Sequence, residues 1–313
     1  MAEYRLGIDL GGTSIKGGII DKDGNVLYAK STDTEAKKGA EYVMDKIAEH
    51  TQSIIASAGR TKTDFENIGF GSPGIVDDEK GIVVFAGNLG WQNIAIKKGL
   101  QDRLGIAVKI GNDANVAALG EIKYGAGAGL KSAILITLGT GVGGGIILDG
   151  QIYSGNGGAG AELGHMIIVA DGNQCTCGQK GCFEAYSSAI ALKNKIKQAL
   201  QQNPHSQMWS SIQDIHNVHS SLAFDFYQTD TVAQNIVREY AHYLAIGLIN
   251  FANIFRPQAI MLGGGISYLG TSLIKLIQDE FDNGIFGGAS SQKVELRIAS
   301  LQNNAGFIGA ACL

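Results

Sequence analysis

The chain has 313 residues, of which 45% are hydrophobic and 17% charged, and its formal net charge at pH 7 is -4. This length exceeds what one hydrophobic core usually supports, so we expect two domains. The weakly acidic balance, without a basic patch or tail, argues against nucleic acid as a partner. No apolar stretch is long and glycine-free enough to cross a membrane, and residues 1–5 lack a signal segment, so we expect a cytosolic protein.

Short apolar runs bounded by Gly, Pro or Asp predict the elements of the first half of the chain. They are strands at 4–8, 17–20, 26–29, 68–71 and 108–110, and helices at 40–58 and 114–123. The first two strands are predicted to pair around a Gly/Thr turn. The strand at 68–71 stops at Ser72-Pro73-Gly74, and the strand at 108–110 runs into Gly111-Asn112-Asp113.

The second half continues the alternation of strands and helices. Predicted strands at 134–138, 146–148 and 259–262 alternate with predicted helices at 185–201 and 232–255. The last helix is apolar on much of its surface, which is typical of a buried central helix. The polar segment 203–230 indicates no function. Alternating strands and helices predict an α/β protein.

One pattern occurs twice: an apolar run, a Gly/Thr turn, a second apolar run and an Asp-Gly turn. The first Gly/Thr turn is Gly11-Gly12-Thr13, with Lys16 close behind, and the second is Gly139-Thr140-Gly141. Asp-Gly between apolar runs is a hairpin signal, and glycine lets backbone N–H groups approach an anion closely. One such loop alone is as readily a plain tight turn, but the repeat predicts two related lobes that each bind phosphate.

The second Gly/Thr turn also matches the G-x-G-x-x-G pattern of dinucleotide-binding proteins. That pattern requires a helix directly after the glycines. Here Ile146-Ile147-Leu148 and Asp149-Gly150 follow, which predicts a strand and a hairpin turn instead. We therefore reject a dinucleotide site at this position.

Three of the four cysteines, Cys175, Cys177 and Cys182, lie within eight residues, and His165 precedes them. Clustered cysteines in a cytosolic protein favour a metal over disulfides. Three thiolates and one imidazole form a closed tetrahedral Zn²⁺ site, which is structural by type. The alternative is a flexible loop that holds reduced cysteines.

Asp113 follows a predicted strand and starts a predicted helix, where α/β folds place ligands. The same position suits a helix N-cap, and the pattern alone does not separate the two interpretations. A carboxylate there is able to accept a proton from a substrate hydroxyl that attacks phosphorus. Glu162, His165 and Glu184 flank the cysteine cluster, either as surface charges or as a rigid wall that binds hydroxyl groups.

From Asp9 to Gly265 the chain resembles the ROK family (repressor, open reading frame, kinase) of the actin-like ATPase and hexokinase superfamily, and within it the glucokinases. The most specific motifs are Glu162-Leu163-Gly164-His165 and the run from Cys175 to Glu184. The resemblance implies an α/β protein with the two-lobed actin-like ATPase (ribonuclease H-like) fold and a cleft between lobes. The small lobe would span 1–116, with 302–313 returning to it, and the large lobe with the zinc loop would span 117–301.

The resemblance also implies ATP-dependent phosphorylation of a hexose 6-hydroxyl, above all that of glucose, with Mg²⁺ and a structural Zn²⁺. Asp113 would be the general base. Sugar hydroxyls would contact Asn88, Asn112, Asp113, Glu162, His165 and Glu184. ATP phosphates would contact Gly11, Gly12, Thr13, Lys16, Gly139, Thr140 and Gly141, with Asp9 positioning Mg²⁺ and Gly263, Gly264 and Gly265 against the adenosine. Zinc would be held by His165, Cys175, Cys177 and Cys182.

Two alternatives stay open. One is the same chemistry on another sugar, namely N-acetylmannosamine, fructose, allose or a β-glucoside. The other is a non-catalytic, sugar-sensing member of the family. Repressor members carry a DNA-binding domain before the first lobe, so a start at the first strand favours a kinase. Ile190 stands where glucokinase-like members often have Thr. This departure concerns which of several similar sugars is accepted, and it leaves the expected reaction unchanged. By resemblance alone, we expect a homodimer.

Overall fold

The structure is a computed structural model, and it describes residues 3–313. Its strands are β1 (Tyr4–Leu10), β2 (Ser14–Asp21), β3 (Val26–Asp33), β4 (Ile68–Ser72), β5 (Ile75–Asp77), β6 (Ile82–Ala86), β7 (Trp91–Ile94), β8 (Val108–Asn112), β9 (Ala133–Leu138), β10 (Val142–Leu148), β11 (Gln151–Ile152), β12 (Ala259–Gly263) and β13 (Glu295–Ile298). Its helices are α1 (Ala40–Ser57), α2 (Ile96–Leu104), α3 (Asp113–Tyr124), α4 (Glu184–Ser187), α5 (Ala189–Gln202), α6 (Leu222–Asp225), α7 (Thr231–Phe255), α8 (Thr271–Gly284) and α9 (Ala305–Ala310). Within residues 3–313, no helix has both the length and the apolar character needed to span a bilayer.

The chain divides into two compact units. Unit 1 contains the residues up to Leu135 together with Gly145–Ala161 and Ala299–Leu313. Unit 2 contains Ile136–Gly144 and Glu162–Ile298. The lobe boundaries expected from the sequence, 1–116 with 302–313 and 117–301, stay a prediction.

The main sheet of unit 1 has the strand order β3-β2-β1-β4-β8. β1 and β2 are antiparallel and close the first Gly/Thr turn at the pair Leu10↔Ile15. β1, β4 and β8 are parallel, and their register places Asp9 beside Gly71 and Ser72 beside Asn112. Because parallel strands end at the same edge of a sheet, the polar residues that follow these three strands lie together.

The C-terminal helix α9 packs directly on β4, β1 and α3. At Gly69 the approach is so close that a Cβ atom would lie 1.6 Å from the carbonyl oxygen of Ala310. α3 is tied to the same end of the chain by the buried Glu121, whose carboxylate accepts hydrogen bonds from the backbone N–H groups of Ser300 and Leu301 at 3.1 and 2.7 Å. These contacts fix the helix that begins at Asp113.

The second five-stranded sheet has the order β11-β10-β9-β12-β13, and a three-stranded sheet of β5, β6 and β7 was not predicted. β12 and β13 are parallel. The predicted long helix is confirmed as α7, which has eleven buried residues along its 25-residue length. Asp230 caps its start by accepting hydrogen bonds from the N–H groups of Val232 and Ala233, and Arg256 ends it in a left-handed conformation with φ 44°.

One helix prediction was wrong in its extent. The helix expected at 185–201 is interrupted at Ser188, which has extended backbone angles (φ −76°, ψ 159°). The Ser188 hydroxyl oxygen accepts a hydrogen bond from the N–H of Ala191 at 3.1 Å, so it acts as the N-cap of α5. The break leaves the N–H of Ala189 outside the helical ladder, where it donates to the carbonyl oxygen of Gly139 at 2.8 Å.

Candidate active site

The first Gly/Thr turn, in unit 1, is held by its neighbours in sequence. Gly11 donates its N–H to the carbonyl oxygen of Ser14 at 2.8 Å. The buried Thr34 donates its hydroxyl to the Gly11 carbonyl at 2.7 Å and its N–H to the Thr13 carbonyl at 2.9 Å. The sequence reasoning missed Thr34, because a lone Thr after a strand carries no pattern.

Three further predicted residues surround this turn. Asn88 lies against Gly12, since its Nδ2 atom would be 3.4 Å from a Cβ on that glycine. Lys16 donates to the carbonyl oxygen of Asn303 at 3.3 Å. Asp9 is partly buried; burial raises its pKa to about 6, while the Lys16 ammonium group acts to lower that pKa. A carboxylate that burial destabilises, next to a turn predicted to bind phosphate, is suited to a divalent cation.

Asp113 is the first residue of α3, and the N-cap of that helix is Asn112 rather than Asp113. Asn112 accepts a hydrogen bond from the N–H of Asn115 at 3.0 Å and donates its Nδ2 to the carbonyl oxygen of Gly74 at 2.9 Å. Asp113 Oδ1 accepts from the N–H of Ala114 at 2.8 Å. Asn112 therefore does the capping and also joins the Ser72-Pro73-Gly74 turn to α3.

The second Gly/Thr turn, in unit 2, is held by residues that lie far along the chain. Within the turn, Gly139 donates its N–H to the Gly141 carbonyl at 3.0 Å, and the Gly139 carbonyl accepts from Ala189. At the other end, Val142 donates its N–H to Glu184 Oε2 at 2.9 Å. Both ends of the turn are therefore anchored to the segment that contains α4 and the start of α5.

The predicted metal ligands come together in unit 2. One ligand atom from each of His165, Cys175, Cys177 and Cys182 lies within 4.8 Å of all the others. The Cys177 and Cys182 sulfur atoms are 3.6 Å apart, and Cys175 Sγ is 3.7 Å from His165 Nδ1. Zn–S bonds of about 2.3 Å in a tetrahedron place sulfur atoms about 3.8 Å apart. The geometry and the donor set both fit zinc.

Burial and close neighbours shift the pKa values of these three thiols. Burial raises the pKa of Cys175, and burial with the neighbouring thiols raises the pKa of Cys182 to about 12. A hydrogen bond from the backbone of Gln179 lowers the pKa of Cys177. A metal binds thiolates, so its binding would release the thiol protons and depend on pH.

The carboxylates expected to bind hydroxyl groups lie close to this centre. Glu162 directly precedes the 3₁₀ turn Leu163–His165 and accepts the His165 N–H at its carbonyl oxygen, 3.0 Å away. Burial and the Glu184 carboxylate raise the pKa of the Glu162 side chain, and His165 lowers it. Glu184 Oε1 accepts the Thr176 hydroxyl at 3.0 Å, so it contacts the cysteine loop directly.

A cavity of about 370 Å³ in unit 2 opens beside the second Gly/Thr turn. Its wall is formed by Thr140, by Ala189, Ile190 and Lys193 of α5, and by residues 216–220. Ile190, which the sequence analysis linked to sugar specificity, therefore shares a cavity with the predicted phosphate-binding Thr140. The cavity also includes part of the segment 203–230, for which the sequence indicated no function.

The three glycines at the end of β12 lie in the same unit. Gly264 has a φ of +83°, and a Cβ atom there would lie 2.6 Å from the backbone nitrogen and oxygen of Leu138. Leu138 is the last residue of β9 and directly precedes the second turn. Gly264 therefore lies next to the residue that directly precedes the second Gly/Thr turn, and Gly263 and Gly265 are its neighbours in sequence.

Comparison with known proteins decides the family. Residues 5–313 match the model described as ROK family. This chain belongs to the ROK family. It is 34% identical to a glucokinase of Halalkalibacterium halodurans, with 99% of this chain and 94% of the relative covered.

Solved structures of ROK proteins match this protein over nearly its whole length. The crystal structure of a ROK family glucokinase from Streptomyces griseus in complex with glucose and AMPPNP matches with a TM-score of 0.84 and 35% identity, covering 99% of this chain and 98% of that one. A ROK hexokinase from Thermus thermophilus matches with a TM-score of 0.82 and 32% identity, covering 98% and 96%. The predicted fold class, the α/β fold of actin-like ATPases, is confirmed.

Proposed function

We propose that this ROK protein is a glucokinase, which transfers the γ-phosphoryl group of ATP to the 6-hydroxyl of glucose. The proposal rests on the position of Asp113, which follows β8 at the edge of the unit 1 sheet. Asn112, and not Asp113, is the N-cap of α3. Relatives with 34–36% identity over nearly the whole chain are glucokinases, and the similar Streptomyces griseus enzyme binds glucose and AMPPNP. These matches support both the reaction and the substrate.

In unit 1, Asp113 is proposed to accept the proton of the 6-hydroxyl as that oxygen attacks phosphorus. Asp113 lies in the first turn of α3, and the N-terminus of a helix stabilises negative charge. Asn88 and Asn112 contribute amide groups to the sugar. The phosphates of ATP contact Gly11, Gly12, Thr13 and Lys16.

Mg²⁺, when bound, neutralises charge on the phosphate oxygens. Asp9 is proposed to hold it, because its carboxylate lies just before the first Gly/Thr turn and is destabilised by burial. Gly306 of α9 leaves room for that carboxylate, since a Cβ atom there would lie 2.3 Å from Asp9 Oδ2.

In unit 2, Glu162, His165 and Glu184 are proposed to bind sugar hydroxyls through charge-assisted hydrogen bonds. Zinc, held by His165, Cys175, Cys177 and Cys182, supplies structural rigidity when bound. His165 turns Nδ1 toward Cys175, which directs Nε2 to the opposite side of the ring. Holding one ring nitrogen in this way fixes the tautomer and the orientation of the other.

The phosphate donor is proposed to extend from Gly139, Thr140 and Gly141 into the cavity that Thr140 borders. Ile190 of the cavity wall provides an apolar contact for the base, and Gly263, Gly264 and Gly265 lie against the ribose side. This placement gives Ile190 a role in nucleotide binding rather than in sugar choice. We also propose that the protein is cytosolic and forms a homodimer. Light scattering of the purified protein tests its oligomeric state.

A coupled assay of ADP release tests the proposal. Glucose, N-acetylmannosamine, fructose, allose and a β-glucoside are each supplied with ATP and Mg²⁺. We expect the largest kcat/KM with glucose. A larger kcat/KM with another sugar would identify that sugar as the substrate instead. If none of the sugars caused ADP release, the kinase proposal would fail in favour of a sugar-sensing protein.

A further inference from the structure

The two carboxylate oxygens of Glu184 contact two different parts of unit 2. Oε1 accepts the hydroxyl of Thr176, in the cysteine loop, at 3.0 Å. Oε2 accepts the N–H of Val142, at the end of the second Gly/Thr turn, at 2.9 Å. One side chain thus bridges the proposed metal loop and the proposed phosphate-binding turn.

The fit of Glu184 against the turn is tight. A Cβ atom on Gly141 would lie 2.3 Å from Glu184 Oε2 and 3.2 Å from Cδ. With the carboxylate in this position, a side chain on residue 141 would require Glu184 to move and its hydrogen bond to Val142 to change. The Glu184 carboxylate therefore orients the Val142 N–H group and restricts the size of the side chain at position 141.

The backbone around Glu184 strengthens the same connection. Cys182, the last proposed zinc ligand, accepts the N–H of Ala185 at its carbonyl oxygen, 2.9 Å away. Seven residues after Cys182, Ala189 donates its N–H to Gly139 at the start of the turn. The short segment 182–189 is thus anchored at the metal loop and contacts both ends of the turn, through Ala189 at one end and Glu184 at the other.

We propose that Glu184 is a positioning residue for the phosphate donor, which transmits the order that metal binding gives the cysteine loop to the Gly139–Val142 turn. This role is additional to its proposed contact with sugar and rests on the proposed function of the turn. It predicts that removal of zinc weakens nucleotide binding even when no sugar is present.

The test measures binding of AMPPNP with Mg²⁺ by calorimetry, without sugar, so that any contact of Glu184 with sugar does not contribute. For the wild-type protein we expect affinity to fall about tenfold when zinc is removed by a chelator, which is about the value of one charge-assisted hydrogen bond. In Glu184→Gln, affinity is expected to be low with zinc and to change less than about twofold on chelation, because the bridge is already weakened.

Thr176→Val weakens the bridge without changing the carboxylate, and Cys175 Sγ, 3.6 Å from Oε1, stays as the second contact of that oxygen with the cysteine loop. The substitution removes the hydroxyl donor to Oε1 and leaves the proposed zinc, sugar and phosphate contacts in place. We expect full zinc content by mass spectrometry, AMPPNP affinity reduced about threefold to tenfold, and faster hydrogen exchange at the Val142 amide. Thr271→Val, at an exposed threonine that begins α8, is the matched control and should behave as wild type.

The outcomes separate this inference from the proposed function. If wild-type protein binds AMPPNP equally well with and without zinc, or if Thr176→Val binds as tightly as Thr271→Val, the inference is overturned while the glucokinase proposal stands. If zinc-loaded wild type does not bind AMPPNP at all, both fail.

Discussion

The two Gly/Thr turns have the same sequence pattern but different structural support. Gly11-Gly12-Thr13 is held by Ser14 and by Thr34, which lie at most 23 residues from Gly11 along the chain. Gly139-Thr140-Gly141 is held by Glu184 and Ala189, more than 40 residues further on. Duplicate motifs therefore need not share the contacts that hold them, and the second turn is linked through Glu184 to the proposed metal loop.

The largest effect should come from Asp113, the proposed general base. In Asp113→Asn we expect kcat to fall about 10²–10⁴-fold, because the amide no longer accepts the hydroxyl proton. Calorimetry should show nearly unchanged AMPPNP binding, and Tm should be preserved since Asn112 caps α3.

Asn112→Ala is the control for the stability of Asp113→Asn, because it removes the N-cap of α3. It should cost about 1 kcal/mol of stability by thermal unfolding. Turnover by Asp113→Asn near the wild-type rate would refute the assignment of the base.

The second effect distinguishes positions within the second turn. Gly141→Ala places a methyl group against Glu184, whereas a Cβ atom on Gly139 meets nothing within 4 Å. We expect Gly141→Ala to lose about 1–3 kcal/mol of unfolding free energy through overpacking, and Gly139→Ala to lose much less. Equal stability of the two variants in denaturant titrations would mean that Glu184 does not confine the turn.

The third effect tests the support of the first turn. Thr34→Val leaves the Gly11 carbonyl without its hydroxyl donor, so AMPPNP affinity should fall about fivefold. Because the hydrogen bonds of Thr34 are to Gly11 and Thr13, we expect the further loss on zinc removal to match that of wild type.

Thr32→Val, two residues earlier on β3, serves as the control for Thr34→Val and should bind AMPPNP normally. If the zinc response disappeared in Thr34→Val, the difference between the two turns would not hold.

The smallest effect concerns the cavity beside the second turn. Ile190→Thr replaces an apolar contact by a hydroxyl, so KM for ATP should rise about threefold while KM for glucose stays unchanged. Initial-rate measurements with each substrate varied in turn check this. A change confined to glucose would return Ile190 to the sugar site, as the sequence first suggested.

Local patterns predicted the parts of the fold that short segments determine. The β1–β2 hairpin, the strand before Asp113 and the long helix α7 follow from apolar periodicity and from Asp-Gly or Pro punctuation. The cysteine spacing predicted a group of ligand atoms that the structure does bring within 4.8 Å. In these cases the residues that define the feature are close together in the sequence.

The parts that the sequence did not predict depend on tertiary contacts. Helical periodicity continues across Ser188, so the break that frees Ala189 for Gly139 is visible only in the structure. Thr34 and Glu184 act on backbone groups 23 and 42 residues away. No local signal specifies such partners, since any Thr or Glu is able to make these hydrogen bonds.

Product analysis of the wild-type protein tests the central claim most directly. The zinc-loaded protein is mixed with glucose, ATP and Mg²⁺, and glucose 6-phosphate and ADP are quantified separately over time. The account predicts that both products form in equal amounts and that neither forms when glucose is omitted. ADP without glucose 6-phosphate, or no ADP at all, would contradict it.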